Sequence, residues 1–198
     1  MLKRAFILSA AVCLALAGLA RAGQPLMVKP FVYDPGHTRI ITAGWMNKIG
    51  LPDNGGSNFG LLLQKDGPTA TNAAAGAEVV FQGVLTELGF DIRNDGHFGA
   101  GAPRFNVSDQ NGQNHFMGGP ANVVQTPGPA PGWTRVRINP YNPAQAFPPL
   151  LPGDTVTSIE IIFDEGTDAG GGPDFTGFAV LDNIDVNGVL VGKAGAAK

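Results

Sequence analysis

The segment at residues 155–164, TVTSIEIIFD, constrains the fold more than any other: Ile159, Ile161 and Phe163 fall on one side of an extended chain, and Ser158, Glu160 and Asp164 on the other. Successive side chains of a β-strand point to opposite faces, so this alternation predicts a half-buried strand. The pattern recurs. In residues 103–107, PRFNV, Phe105 and Val107 turn inward and Arg104 and Asn106 outward; in residues 133–138, WTRVRI, Val136 and Ile138 oppose Arg135 and Arg137. Glycine (29 residues) and proline (16) punctuate these runs, as they do in chains of short strands joined by loops. Such strands cover their apolar faces by packing sheet on sheet. The expected fold is all-β, a two-sheet antiparallel sandwich of jelly-roll type.

Other segments fit the same plan. Residues 39–45, 59–65 and 115–117 read as strands, and 77–94 (AEVVFQGVLTELGFDIRN) as two, because β-branched residues with Gly83 and Gly89 disfavour a helix of that length. Residues 51–58, 66–76 and 165–174 carry turn signals throughout, 120–132 reads as a long Pro-rich surface loop, and 140–152 as an extended connection. The C-terminal strand runs into Asn187-Gly188, the dipeptide of a two-residue type I′ hairpin, so 189–191 should fold back on it. Residues 23–30 read as a lead-in and 193–198 as a mobile tail, leaving 23–192 as a single domain.

The first 22 residues carry a separate message. Lys3 and Arg4 precede the apolar run 5–19 and the small-residue pattern Ala20-Arg21-Ala22, the order of a secretory signal peptide cut after Ala22. The run is shorter than the roughly 20 residues a membrane-spanning helix needs. Cys13 lies inside it, so cleavage leaves a chain of 176 residues with no cysteine, and thiol redox chemistry and thiolate metal sites are excluded. Cleavage also removes Lys3, Arg4 and Arg21, which leaves 10 basic residues against 16 acidic and moves the net charge from −3 to −6. An acidic chain without a basic stretch is poorly suited to nucleic acid. Secretion or periplasmic residence, without membrane insertion after cleavage, is the expected location.

One residue disturbs the strand pattern. Unbroken alternation through FAVLDNIDV puts Phe178, Val180, Asp182, Ile184 and Val186 on one face, with a carboxylate inside an apolar row. An unpaired ionised group costs several kcal/mol in a core. Three arrangements satisfy it: a β-bulge at Asp182-Asn183 that re-aims the side chain outward, backbone N–H donors at an edge or loop junction, or a calcium ion shared with acids of the preceding loop such as Asp164, Glu165, Asp168 and Asp174.

Catalytic patterns are weak. His37, His97 and His115 are the only histidines and match no zinc spacing, although pairing of their flanking strands would bring His97 and His115 together. Ser57, Ser108 and Ser158 stand in no nucleophile-elbow context. Glu78, Glu87, Glu160 and Glu165 could supply paired carboxylates for glycoside hydrolysis, and nothing in their context singles them out. The aromatic residues Trp45, Trp133, Tyr33, Tyr141 and Phe116 are the candidates for stacking on sugar rings, with Arg135 and Arg137 beside Trp133 to bond hydroxyls.

The closing segment SIEIIFDEGTDAGGGPDFTGFAVLDNIDVNG resembles the final strands of secreted bacterial β-sandwiches of the galactose-binding or carbohydrate-binding-module type, which close on an apolar strand interrupted as in Val180-Leu-Asp-Asn-Ile184. The stretch LGFDIRNDGHFGAGAPRFNV resembles a motif of uncharacterised bacterial secreted proteins. The first resemblance implies a structural calcium at Asp182, with Asp164 and Asp168 as further ligands, and carbohydrate held by aromatics such as Trp133, Trp45 and Tyr141 together with Arg135. The expectation is a secreted, non-catalytic domain that binds a glycan or cell-surface polymer. A calcium-stabilised envelope or matrix domain is the alternative, and a polysaccharide-acting enzyme the third reading.

Overall fold

A computed structural model describes residues 26–119, 122–165, 176–193 and 196–197. The expected signal peptide at 1–22 and Asp168 lie outside the described residues, which contain no helix. Fifteen strands follow one another: β1 (Met27–Tyr33), β2 (Ile41–Met46), β3 (Gly60–Lys65), β4 (Ala74–Val80), β5 (Gly83–Val84), β6 (Leu88–Arg93), β7 (Arg104–Asp109), β8 (Asn114–Gly118), β9 (Val124–Pro127), β10 (Trp133–Ile138), β11 (Ala146–Phe147), β12 (Thr155–Phe163), β13 (Phe178–Val186), β14 (Val189–Lys193) and β15 (Ala196–Ala197). They form a two-sheet antiparallel β-sandwich. The seven-stranded sheet runs β1-β4-β12-β7-β8-β11, with β5 on β12, and the eight-stranded sheet runs β15-β14-β13-β6-β10-β9, with β3 on β13 and β2 on β3.

The alternation read from the sequence sets the core. Phe105 and Val107 of β7, Ile159, Ile161 and Phe163 of β12, Phe90 of β6 and Val136 and Ile138 of β10 all belong to one buried cluster between the sheets. Asn187 and Gly188 both have positive φ, 55° and 83°, and join Val186 to Val189 by the two-residue turn their chemistry favours.

Several segments depart from the expectation, among them the connection at 140–152, which contains β11, and the loop at 66–76, whose last three residues open β4. The lead-in contains β1, whose Pro30 needs no ladder hydrogen bond at the edge of the sheet. The Pro-rich loop at 120–132 contains β9, an edge strand exposed at all four positions. In the tail, Ala196–Ala197 pair with β14.

The largest departure is in β13. Leu181 and Ile184 both enter the core, with Asp182 and Asn183 between them, and the register against β6 shifts between Asp182 and Asp185. Asn183 has φ of 45°. This is a β-bulge, and it reverses the phase of the strand. The core row is therefore Ala179, Leu181, Ile184 and Val186, and Val180 and Asp182 point to the far side of the sheet. Asp182 was never in the apolar row. It is nonetheless fully buried, because the connection from β2 to β3 folds back over that outer face. A Cβ on Gly60 would come within 2.8 Å of Val180 Cγ1, so only glycine lets the chain pass that close.

Candidate functional site

The outer face of the eight-stranded sheet holds a buried polar network. Asp182 accepts hydrogen bonds from the Leu51 N–H at Oδ2 (2.7 Å) and from the Asn183 N–H at Oδ1 (2.6 Å). The side chain of Asn183 donates from Nδ2 to Asp91 Oδ2 (2.6 Å), and Asp91 stands opposite Asp182 in the ladder. Arg135 donates from Nη1 to the Asn183 carbonyl (3.0 Å), lies 3.8 Å from Asp91 and pairs through Nη2 with Asp185. The other oxygen of Asp185 accepts the Gly188 N–H at 2.8 Å. The covering loop is tied down a second time where Arg93 donates to the Ile49 carbonyl (3.1 Å).

Two of the arrangements considered for Asp182 thus coexist. The bulge is present and turns the side chain to the other face, and backbone donors from the covering loop satisfy it there. The implied calcium ligands are not brought together among the described residues. Asp164 is held by Arg104 in a bidentate pair at 2.7 and 2.8 Å, on a different element from Asp182, and no three His, Cys, Asp or Glu among the described residues converge on a possible ion position. The donor set around Asp182, backbone N–H groups facing a carboxylate, does not fit a cation.

The proposed stacking residues are also separated. Trp45 donates from Nε1 to the Val28 carbonyl (3.1 Å) and packs on the core; the Tyr141 hydroxyl donates to the Leu85 carbonyl (2.7 Å) and does likewise. Trp133 borders an open groove of about 610 Å³ formed by the β9–β10 hairpin, and Arg135, two residues on, spends its guanidinium inside the network. Each histidine has its own surroundings. His37 is exposed in a turn, His97 is buried edge-on to Phe163 and donates to the Gly99 carbonyl (3.0 Å), and His115 donates from Nδ1 to the Pro148 carbonyl (2.8 Å).

Asp109 lies 3.8 Å from His115 Nε2. Burial pushes its carboxyl up, but the N–H groups of Gln113 and Asn111, the Asn111 side chain and the nearby imidazole outweigh this and hold it below the ordinary value. A carboxyl lowered by folding adds stability that is complete above its unfolded pKa, about 3.9, and is lost as pH falls through the lower folded value. Asp109→Asn should therefore be less stable than the parent at neutral pH, and urea midpoints of the two should converge below about pH 4.

The arrangement best suited to a ligand lies on the opposite sheet. Phe147 of β11 and Phe116 of β8 are direct cross-strand partners on the outer face, 77% and 49% exposed. Such partners have Cβ atoms about 5 Å apart, so the two side chains stand side by side on one face as a ledge. Arg104 lies over Phe116, with Cζ 5.9 Å from the ring centroid, and is fixed there by Asp164 and by Nε donation to Asn106 Oδ1 (3.1 Å). A groove of about 560 Å³ beside the ledge is lined by these residues with Asn122 and Gln145.

Sequence reasoning named Phe116 among five aromatics and missed Phe147, hidden in a Pro-rich connection. The signal available was the alternation of Asn114 and Phe116 against His115 and Met117, which sends Phe116 to solvent. Comparison with protein-family models, curated proteins and solved structures finds no match.

Proposed function

We propose that the chain is a secreted, non-catalytic domain that binds carbohydrate at or outside the cell envelope, with the Phe116–Phe147 ledge as its contact surface. The observation that carries this reading is the pair of adjacent exposed rings. Large apolar side chains exposed together mark interaction sites more often than scattered single ones. The faces of sugar rings carry C–H groups that match flat aromatic surfaces, and polar groups at the margin, here Asn106, Asn122 and Gln145, suit the hydroxyls. The leader at residues 1–22 supports the location.

Binding without hydrolysis is supported by the placement of the acids. Glu78 and Glu160 are direct neighbours on one exposed sheet face. A glycosidase needs its two carboxyls on either side of the scissile bond. Neighbours on one face approach a sugar from the same side.

A glycan array followed by calorimetry tests the reading. Phe116→Ala and Phe147→Ala should each weaken binding of the best glycan by about tenfold, or about 1.4 kcal/mol, with the thermal midpoint held in Phe147→Ala, whose ring is 77% exposed, and lowered slightly in Phe116→Ala, which also loses the contact with Arg104. Glycan binding indifferent to both substitutions would sink the assignment.

A further inference from the structure

We propose that the outer face of the seven-stranded sheet binds a glycan chain that carries free amino groups, its rings on Phe147 and Phe116 and a protonated amine at Glu160 and Glu78. This rests on the glycan-binding reading of the ledge and adds the chemical class of the ligand.

The ladder register aligns the face into a single row. Phe147 stands opposite Phe116, Phe116 opposite Asn106, Asn106 opposite Glu160 and Glu160 opposite Glu78. Adjacent strands lie about 4.8 Å apart, so four steps carry the row roughly 19 Å across the strands. That spacing offers an extended glycan about one strand per ring. Asn106, whose Oδ1 is taken by Arg104, keeps its amide hydrogens for a hydroxyl between the ledge and the acids.

The acids themselves need a partner. Like charges directly opposite each other on a sheet are destabilising, and Glu160 faces Glu78 on one side and neutral Asn106 on the other. Lys29 reaches only Glu78, at 3.9 Å with both side chains more than half exposed, an arrangement that contributes little. Arg104, the other cation on this face, is committed to Asp164. Lys29 stands opposite Glu78 at the end of the row, so this part of the face sets one exposed cation against two carboxylates and keeps a net negative charge beyond the aromatic pair, on a chain that is acidic as a whole. A divalent metal would need six or more converging oxygens. A primary ammonium needs only acceptors for its three N–H groups, which two adjacent carboxylates supply. An amine attached to a sugar ring answers the charge and the ledge together.

The test compares a glucosamine hexasaccharide with its fully N-acetylated counterpart at about pH 5.5, where the sugar amines are protonated. The amino form should bind at least tenfold more tightly, and its affinity should fall with salt. Glu160→Gln should remove that advantage and leave the acetylated oligomer unaffected, at an unchanged or raised thermal midpoint since a repulsion is relieved. Equal binding of the two oligomers, with Phe116→Ala weakening both, would overturn the amine assignment and leave the glycan reading standing. Binding of neither oligomer, with a dimer in sedimentation that Phe147→Ala dissociates, would overturn both and make the ledge a self-association surface.

Discussion

Replacing Arg135 by methionine should lower the stability of the domain by roughly 3–5 kcal/mol, the cost of breaking a buried ion pair by removing one partner. The side chain of Arg135 is 12% exposed, and those of Asp185 and Asp91 are 4% and 3% exposed. Methionine fills the space and removes the guanidinium that both buried carboxylates contact. For a domain of this length the thermal midpoint should fall by on the order of 10 °C. Arg135→Met combined with Asp185→Asn should recover part of the loss, since the second change removes one stranded charge. A double-mutant cycle on thermal or urea unfolding would measure the coupling. Additive losses would mean that Arg135 stabilises the sheet by packing alone.

Asp182→Ala should cost about 2–4 kcal/mol, because it strands the buried N–H groups of Leu51 and Asn183. The first of these anchors the covering loop, so the loss should extend beyond the bulge. Amide hydrogen exchange of Leu51 would rise well before global unfolding, and proteases should gain access to residues 47–59. Since the oxygens of Asp182 face N–H donors, added Ca²⁺ should leave the midpoint of the parent unchanged. A calcium-dependent rise that Asp182→Ala abolishes would place a cation at this carboxylate and overturn the hydrogen-bonding account.

The parts of the fold that followed from the sequence are those where one periodicity runs unbroken. In β7 (Phe105, Val107), in β10 (Val136, Ile138) and in β12 beyond the register shift at Val156–Ser158 (Ile159, Ile161, Phe163) the apolar residues of the alternating row enter the core. The bulge in β13 defeats the same reasoning, since one residue added between Leu181 and Ile184 reverses the phase, so that Ile184 and Val186 enter the core as alternation expects while Val180 and Asp182 before them do not. Nothing local marks that position except the Asp-Asn pair, whose side chains tolerate a left-handed backbone. The strands β1 and β9 escaped because edge strands bury one row or none, and prolines resemble loop residues wherever no ladder bond is needed. The ledge was half legible. Phe116 is set by alternation within β8, but its neighbour Phe147 comes from a two-residue strand 31 positions later, and only the ladder between them makes a surface. Trp133 and Arg135 share a face as alternation requires, yet the electrostatic needs of Asp185 decide what the guanidinium does.

The strand order also bears on when the domain can form. The middle of the seven-stranded sheet is β12, between β4 and β7, and in the eight-stranded sheet β13 is hydrogen-bonded to β3, β6 and β14. Both begin at or beyond residue 155. A chain emerging from the ribosome has β1 to β11 and neither central strand until that point, so the apolar rows of those strands lack the strands they pair around. Long-range strand pairing of this kind is slow even in the finished chain. The order of the strands thus leaves the polypeptide without its central strands for most of its synthesis, a state compatible with the proposed export.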